Sequence, residues 1–236
     1  MKKYTILLIT LALNVTTPIP CLASTKDWSI LICTLEKRKQ SFEFIYNKLQ
    51  QQIHQNGLDD KVELLYFSDM GENTVGFKRN ALLQQSKGCY VNFMDDDDDV
   101  ADNYISMIHE KLKLNPDCVN LIGIITTNGK NPKKFIHSIN YHSWFEKDGI
   151  YYRPPNHLNP IKRSIAIQFL FPEKNYGEDA VWSMAIAKSG LLQKEEWIDT
   201  PYYFYLFVTK NKRKAFHEID DYYNYGADNI FDEDAR

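Results

Sequence analysis

Residues 89–98, Cys-Tyr-Val-Asn-Phe-Met-Asp-Asp-Asp-Asp, join an apolar segment to a run of aspartates that continues to Asp99. The apolar segment is rich in β-branched and aromatic residues, which favour a buried strand. Adjacent carboxylates repel one another, so a folded chain tolerates them where solvent or a cation offsets their charge. An exposed acidic loop is one interpretation. A Mg²⁺ or Mn²⁺ site is the other, because these ions prefer oxygen ligands and open α/β sheets bind ligands at the carboxyl ends of strands.

Strand and helix signals alternate on both sides of this segment. Further strands are predicted at residues 28–33, 62–67 and 119–125, and helices at about 42–57, 76–87 and 102–115. This order predicts an α/β fold with a Rossmann-like, mostly parallel sheet and helices on both faces. Residues 135–152 are aromatic-rich and are interrupted by Lys147-Asp148-Gly149, which predicts a small antiparallel extension.

Charge is unevenly distributed along the 236 residues, which carry a net charge of −3. Residues 218–236 contain seven acidic side chains against Arg236, so the rest of the chain has a net charge of only +3. Such a weak positive balance argues against nucleic acid as a partner. We therefore expect a folded domain at residues 24–217 and an acidic, aromatic tail at residues 218–236.

The amino terminus has the pattern of a secretory signal. Lys2 and Lys3 precede the apolar residues 4–13, and small residues at Cys21 and Ala23 offer a cleavage site. We interpret residues 1–23 as a signal peptide and expect a secretory or periplasmic location, with a cytoplasmic or membrane-associated one as the alternative. The apolar run is about half the ~20 residues that span a bilayer, so we expect no stable transmembrane anchor.

Several polar segments follow the predicted strands and should meet at one edge of the sheet. They are residues 34–38, residues 68–72, the helix start Gly76-Phe77-Lys78-Arg79-Asn80, and the aspartates. Individually, Asp69 is typical of a turn, and Lys78 and Arg79 are typical of a solvated helix start. Together, cationic side chains beside metal-binding carboxylates would suit a diphosphate. Gly177-Glu178-Asp179 reads as the acidic start of another helix, which ends at Gly190.

The ordered set of these segments, from about residue 28 to residue 205, resembles the family 2 glycosyltransferases of the GT-A fold. The resemblance implies transfer of a sugar, as in a hexosyltransferase, from a nucleotide-sugar donor (a UDP-sugar) to a hydroxyl of a glycan, lipid-linked or protein acceptor, with inversion. It implies Mn²⁺ or Mg²⁺ as cofactor, held in an Asp-x-Asp motif by Asp95 and Asp97, with Asp98 assisting. The implied donor-binding residues are Thr34, Glu36, Asp69, Lys78, Arg79, Asp95 and Asp96. Among these, the resemblance implies that Thr34 and Glu36 line the nucleoside pocket and that Asp69 hydrogen-bonds the uracil.

The same resemblance implies that a carboxylate removes the proton of the acceptor hydroxyl. We assign this role to Asp179, with Glu178 as the competing candidate. Acceptor recognition is expected from the aromatic residues 135–152 and from the proline-rich residues 153–160, although the latter could be a plain connection. In the proline-rich segment, His157 and Asn159 would bind the acceptor, and contact of His157 with the donor sugar is the alternative. His217 is a further candidate metal ligand, although an exposed histidine is the simpler interpretation.

Two other functional classes are compatible with strand-end aspartates. A metal-dependent nucleotidyltransferase is the first, but it gives no reason for the Gly-Glu-Asp segment. A catalytically silent GT-A module that binds glycans or cations is the second, and Asp179 pointing away from the site would favour it.

Overall fold

The computed structural model describes residues 26–208. Within this range the strands are β1 (Lys26–Leu35), β2 (Val62–Asp69), β3 (Gly88–Asp95), β4 (Asp99–Val100), β5 (Cys118–Val119), β6 (Leu121–Thr127), β7 (Lys130–His137), β8 (Phe145–Lys147), β9 (Ile150–Arg153), β10 (Ile161–Lys162), β11 (Glu195–Glu196) and β12 (Tyr203–Phe207). The helices are α1 (Lys39–Gln55), α2 (Val75–Gln85), α3 (Tyr104–Leu112), α4 (Arg163–Ala166) and α5 (Glu178–Ser189), with a 3₁₀-helix at Glu36–Arg38.

The predicted signal peptide, His217 and the acidic tail lie outside the described residues. Within residues 26–208, no helix combines the length and the apolar character needed to cross a membrane.

The first sheet has the order β11-β5-β10-β3-β1-β2 and is built around the parallel strands β1, β2 and β3. Side chains alternate between two apolar clusters along the central strands, so that Ile30 and Ile32 face one cluster and Leu31 the other. Strands buried on both faces need continuous apolar sequence, as residues 28–33 and 90–94 have. The predicted Rossmann-like parallel sheet is confirmed.

Helices cover both faces of this sheet, as predicted. On one face, α1 and α3 contribute Ile45, Leu49, Ile53, Ile105, Ile108 and Leu112. On the other face, α2, α4 and α5 contribute Leu82, Leu83, Ile165, Trp182 and Ile186. The helical spacing of these apolar residues is what places them on a common face.

The prediction of one strand at residues 119–125 is wrong. The chain breaks at Asn120, so that β5 pairs in the first sheet and β6 in the second. The buried Asn120 amide takes the place of a backbone partner: its Oδ1 accepts from the Ile198 amide at 2.7 Å, and its Nδ2 donates to the Ile198 carbonyl at 3.1 Å. These bonds let the chain change sheets without leaving buried backbone groups unpaired.

The second sheet has the order β4-β12-β6-β7-β9-β8. Strands β6 and β7 are antiparallel, and β8 and β9 form a hairpin whose turn residues, Asp148 and Gly149, have positive φ. This part confirms the predicted antiparallel extension at residues 135–152. It is larger than predicted because β12 joins it in parallel with β6.

Two helix starts differ slightly from prediction. The helix expected from Asp102 begins at Tyr104, and Asp102 instead lies 3.3 Å from Lys48. Helix α2 begins one residue before Gly76, where the Thr74 hydroxyl caps it by accepting from the Phe77 amide at 3.2 Å. Gly76 is required for close packing, because a Cβ there would lie 1.9 Å from the Pro172 carbonyl oxygen. This packing brings the start of α2 against the loop that leads into α5.

Candidate active site

The carboxyl ends of β1, β2 and β3 lie side by side at one edge of the first sheet, as predicted. The register pairs Leu35 with Asp69 and Cys33 with Asp95. The second sheet faces the same place, because Asp95 lines a cleft together with residues of β6, β7, β9 and β12. The cleft has a volume of about 520 Å³ including the part open to solvent.

Asp69 at the end of β2 is fully engaged by its own chain. Its Oδ1 accepts from the Gly71 amide at 3.1 Å and from the Lys78 ammonium. Its Oδ2 accepts from the backbone and side-chain nitrogens of Asn73 at 3.0 and 3.1 Å. Burial raises its pKa, but the bonds from Lys78 and Asn73 outweigh burial and hold the pKa at about 2. Lys78 also donates to the Thr34 carbonyl at 2.8 Å, which ties β1 to the loop after β2.

Asp96 and Asp97 share one cation at the end of β3. Arg38 lies 2.7 Å from an Asp96 oxygen and 2.6 Å from an Asp97 oxygen. Asp96 is buried and also accepts from the Thr34 hydroxyl at 2.6 Å, whereas the side chain of Asp97 is 47% exposed. Burial and the neighbouring Asp97 charge raise the pKa of Asp96 to about 6, despite the opposing effect of Arg38.

Asp98 is buried and only half satisfied. The Tyr203 hydroxyl donates to its Oδ2 at 2.5 Å, while its Oδ1 has no hydrogen-bond partner within the described residues. Burial, and then the neighbouring carboxylates Asp97 and Asp95, raise the pKa of Asp98 well above its usual range. Asp99, in contrast, turns away from the cleft and lies 2.9 Å from Lys48.

Arg79 connects Asp95 with Glu178. One guanidinium nitrogen lies 3.2 Å from Asp95 and the other 3.5 Å from Glu178. The guanidinium is buried against the rings of Phe93 and Phe171, with centroid distances of 5.4 and 5.5 Å. The structure therefore places Glu178 in a buried ion pair and outside the cleft lining, which separates it from Asp179.

His157 lies between two of the carboxylates that line the cleft, Asp95 and Asp179. Its Nε2 is 3.5 Å from Asp95 Oδ2, and its Nδ1 is 3.7 Å from Asp179 Oδ2, too far for a hydrogen bond. Burial raises the pKa of Asp95, but His157 and Arg79 outweigh this effect and hold it well below the usual range. Asp95, a predicted metal ligand, and Asp179, the predicted base, are 84 positions apart in the chain and line the same cleft as His157.

Asn159, predicted to bind the acceptor, lies behind the cleft lining. Its Oδ1 accepts from the Asn156 backbone amide at 3.0 Å and contacts His137 Nδ1 at 3.1 Å, while its Nδ2 donates to the Val119 carbonyl at 2.9 Å. Both polar atoms of its side chain are thereby used to hold the loop and His137. His157, from the same predicted segment, does line the cleft.

The second sheet contributes much of the cleft wall, from stretches that the sequence assigned to the acceptor without identifying the side chains that reach the cleft. Tyr151 and Tyr205 line it, as does Arg153, whose guanidinium lies 4.6 Å from the Trp144 ring centroid. The aromatic character of residues 135–152 was the available signal, but it indicated a hairpin and not which side chains reach the cleft. His137 had no motif around it to mark it.

The two residues that were predicted to line the nucleoside pocket, Thr34 and Glu36, lie outside the cleft lining. Thr34 is buried with its hydroxyl on Asp96, and Glu36 is exposed at the start of the 3₁₀-helix. Thr34 lies at the carboxyl end of β1, and Glu36 follows this strand directly.

The donor set fits a divalent cation that is completed by ligand oxygens. Within residues 26–208, no group of three or more His, Cys, Asp or Glu side chains is arranged to hold a metal by itself. A Mg²⁺ ion at a nucleotide site needs fewer protein ligands, because it takes one or two carboxylates and completes its shell with phosphates and water. Asp95 and Asp98 supply two carboxylates to one cleft, and the unpartnered Asp98 Oδ1 is a hard oxygen ligand.

Comparison with solved structures identifies chains of similar fold. The chain is similar to S. aureus TarS 1–349 in complex with UDP-GlcNAc, with a TM-score of 0.53 and 14% identity over 84% of this chain and 64% of that chain. The chain has a GT-A-like α/β fold. The complex of TarS 1–349 with UDP gives a TM-score of 0.51 and 16% identity over 85% of this chain and 63% of that one.

The similarity to TarS covers only part of that protein. Against the longer S. aureus TarS structure, the TM-score is 0.51 at 14% identity, over 84% of this chain and 38% of that chain. The chain thus spans less than two thirds of each of these structures, and at such low identity the similarity shows the fold alone. No protein-family model matches the sequence, and no curated protein matches it significantly.

Proposed function

We propose that this chain is a metal-dependent, inverting glycosyltransferase of the family 2 type. Its donor is a nucleotide sugar, specifically a UDP-sugar, and its acceptor is a hydroxyl of a glycan, a lipid-linked saccharide or a protein. The observation that carries the proposal is the meeting of Asp95 and Asp179 in one cleft, on either side of His157. The fold shared with TarS structures that hold UDP and UDP-GlcNAc supports the same donor class.

The donor's diphosphate would bind at the end of β3. Arg79 and His157 keep Asp95 ionised, and Asp98 adds a second oxygen ligand from the same turn. Asp97, which is paired with Arg38 and does not line the cleft, would complete the predicted Asp-x-Asp motif. A divalent cation held there would act as a Lewis acid that stabilises the negative charge developing on the leaving nucleoside diphosphate.

Asp179 is the candidate base. It stands in the first turn of α5 with its side chain 26% exposed and lines the cleft, whereas Glu178 is buried against Arg79. An acceptor hydroxyl beside Asp179 would transfer its proton to the carboxylate as the oxygen attacks the anomeric carbon. Because this is a single displacement without a covalent enzyme intermediate, the configuration at the anomeric carbon inverts.

Asp69 supports the donor site through its neighbours. Its four hydrogen bonds occupy both carboxylate oxygens, so contact with uracil would require one of these donors to be displaced. We propose that Asp69 fixes Lys78 and the loop after β2, and that Thr34 holds Asp96 in place. The exposed Glu36 remains available to the nucleoside.

The decisive test is sugar transfer by the purified protein. The wild type and Asp179→Asn are incubated with Mn²⁺ and a panel of UDP-sugars, and UDP release is measured with and without p-nitrophenyl glycosides as acceptors. We expect Asp179→Asn to lower kcat by about 10² to 10⁴-fold while the Kd of UDP stays unchanged, since general base catalysis typically contributes that factor.

Asp60→Asn is the matched control, because it makes the same substitution at an exposed position far from the cleft lining. Equal turnover by Asp179→Asn and Asp60→Asn would refute Asp179 as the base. Release of pyrophosphate from UTP without any sugar transfer would identify a nucleotidyltransferase instead. The anomeric configuration of the product, read by NMR, tests inversion.

A further inference from the structure

The mechanism proposed above makes no use of His137. This residue ends β7, is 1% exposed, and lines the cleft opposite the aspartates. Its Nε2 atom has no hydrogen-bond partner within the described part of the chain. A buried polar atom without a partner is costly to the folded state, and in a ligand cleft it points to a partner on the ligand.

The tautomer of His137 is fixed by backbone groups. The Asn156 backbone amide donates to one side-chain atom of Asn159 at 3.0 Å, so that atom is an oxygen. The other side-chain atom donates to the Val119 carbonyl at 2.9 Å and is therefore the nitrogen. Because His137 Nδ1 contacts the Asn159 oxygen at 3.1 Å, Nδ1 must carry the proton.

The charge of His137 is fixed by its surroundings. Burial, and then the neighbouring Arg153 cation, lower the pKa of His137 to about 3, against the opposing effects of the Asn159 and Asn156 side chains. The ring is thus neutral near neutral pH, with Nδ1 protonated and Nε2 a bare lone pair. A lone pair of this kind accepts a hydrogen bond and cannot donate one.

We propose that His137 Nε2 accepts a hydrogen bond from a hydroxyl of the carbohydrate bound in the cleft, and that Asn159 positions His137 for this contact. The inference rests on the proposed glycosyltransferase function. The doubly esterified diphosphate of a nucleotide sugar and carboxylate groups have no proton to donate at neutral pH, and the Arg153 cation disfavours a metal ion at this nitrogen. Phe135, Tyr151 and Tyr205 supply the apolar surface that a sugar ring can cover in the same cleft.

Two substitutions separate the two nitrogens of His137. His137→Asn retains a side-chain donor near the Nδ1 position for Asn159 but lacks an atom at the Nε2 position. His137→Gln extends an amide oxygen toward the Nε2 position but loses the short donor to Asn159. Both variants disturb packing, so unfolding by urea is measured for each, and a merely structural role predicts equal functional effects when stability is equally reduced.

The readout is discrimination between a sugar and its deoxy analogues. In the donor arm, hydrolysis of UDP-glucose is compared with that of its 3-, 4- and 6-deoxy analogues; in the acceptor arm, methyl glucoside is compared with its deoxy analogues. We expect the wild type to prefer one hydroxyl-bearing ligand by about tenfold, the size of one hydrogen bond. The preference should vanish in His137→Asn and persist in His137→Gln, and the arm in which this occurs identifies the sugar.

Binding of UDP, measured by calorimetry, should be equal in the wild type and both variants, because UDP has no sugar to contact His137. If the wild type, His137→Asn and His137→Gln all turn over UDP-sugars and show the same preference for the sugar over its deoxy analogues, this inference alone is overturned. A wild type that neither binds nor hydrolyses any UDP-sugar would overturn the proposed function and this inference together.

Discussion

The strands on either side of β1, β2 and β3, both end in aspartates but use them in opposite ways. At the end of β2, Asp69 receives four hydrogen bonds and its pKa is lowered to about 2. At the end of β3, burial raises the pKa of Asp96 to about 6, and Asp98 keeps one buried oxygen without a partner among the described residues. A satisfied carboxylate stabilises the fold, whereas an unsatisfied one leaves interaction energy for a ligand.

The difference arises from what surrounds each carboxylate. The loop after Asp69 folds back so that the Gly71 and Asn73 amides point at it, and Lys78 approaches from the next helix. The residues after Asp95 are further aspartates, which bring acceptors and no side-chain donors. The comparison predicts that the β2 end matters for stability and the β3 end for cation and nucleotide binding.

The largest effect should come from removing the cation at the β2 end. Lys78→Met leaves the Asp69 carboxylate without its buried partner, and the two side chains are 3% and 10% exposed. Breaking one partner of a buried ion pair typically costs about 3–5 kcal/mol, so we expect the free energy of unfolding in urea to fall by that amount.

Lys39→Met is the matched control for Lys78→Met. Lys39 pairs with Glu43 at 3.6 Å, and the two side chains are 76% and 52% exposed. Exposed pairs contribute about 0–1 kcal/mol, so this variant should unfold almost like the wild type. Equal stabilities of the two variants would show that the Lys78 pair does not stabilise the fold.

The pH dependence of stability should identify Asp69 as the satisfied carboxylate. Its folded pKa, about 2, lies below the ordinary 3.8, so its stabilising contribution is complete above about pH 4 and is lost as the pH falls toward 2. The stability difference between the wild type and Asp69→Asn, measured in urea, should therefore shrink from pH 6 to pH 2. Asp60→Asn, at an exposed position, is the control measured beside it, and a constant difference for Asp69→Asn would contradict the assignment.

At the β3 end, Asp98→Asn should weaken ligand binding and leave stability almost unchanged. An asparagine oxygen can still accept from the Tyr203 hydroxyl, so we expect the free energy of unfolding to change by less than about 1 kcal/mol. Loss of a carboxylate ligand should weaken Mn²⁺-dependent UDP binding by about tenfold or more, measured by calorimetry. Unchanged binding, with Asp60→Asn as the control, would remove Asp98 from the metal site.

Much of the fold, and part of the candidate site, could be predicted from the sequence. The apolar strand before Asp95 and the helical spacing between the strands predicted the parallel sheet, because both patterns are local. The resemblance then placed Asp95 and Asp179 among the functional residues, the proline-rich loop added His157, and the structure brings these three together. Asn120, a polar residue inside an apolar run, was the local signal for the strand break.

The rest could not be predicted, because it depends on contacts between distant parts of the chain. The partners of Asp96 and Asp98 are far away in the chain. Thr34 lies 62 residues from Asp96, and Tyr203 lies 105 residues from Asp98, so neither contact could be seen from the local sequence. His137 becomes distinctive only when Asn159 fixes its tautomer and β7 carries it to the cleft. Five identical aspartates in a row contain no local information about which of them a neighbour will satisfy.

The smallest expected effect concerns Arg38, which occupies the place of a cation beside two of these aspartates. Arg38 lies within 2.7 Å of Asp96 and within 2.6 Å of Asp97, and its side chain is 36% exposed. If it competes with the metal for Asp97, Arg38→Gln should raise the Mn²⁺ affinity by about threefold, in keeping with the ~0.2–1 kcal/mol of an exposed ion pair. Lys37→Gln removes the same charge from an adjacent, exposed position and tests for a general electrostatic effect. Equal gains in both variants would indicate long-range electrostatics, whereas weaker Mn²⁺-UDP binding in Arg38→Gln alone would mean that Arg38 contacts the diphosphate and belongs to the donor site.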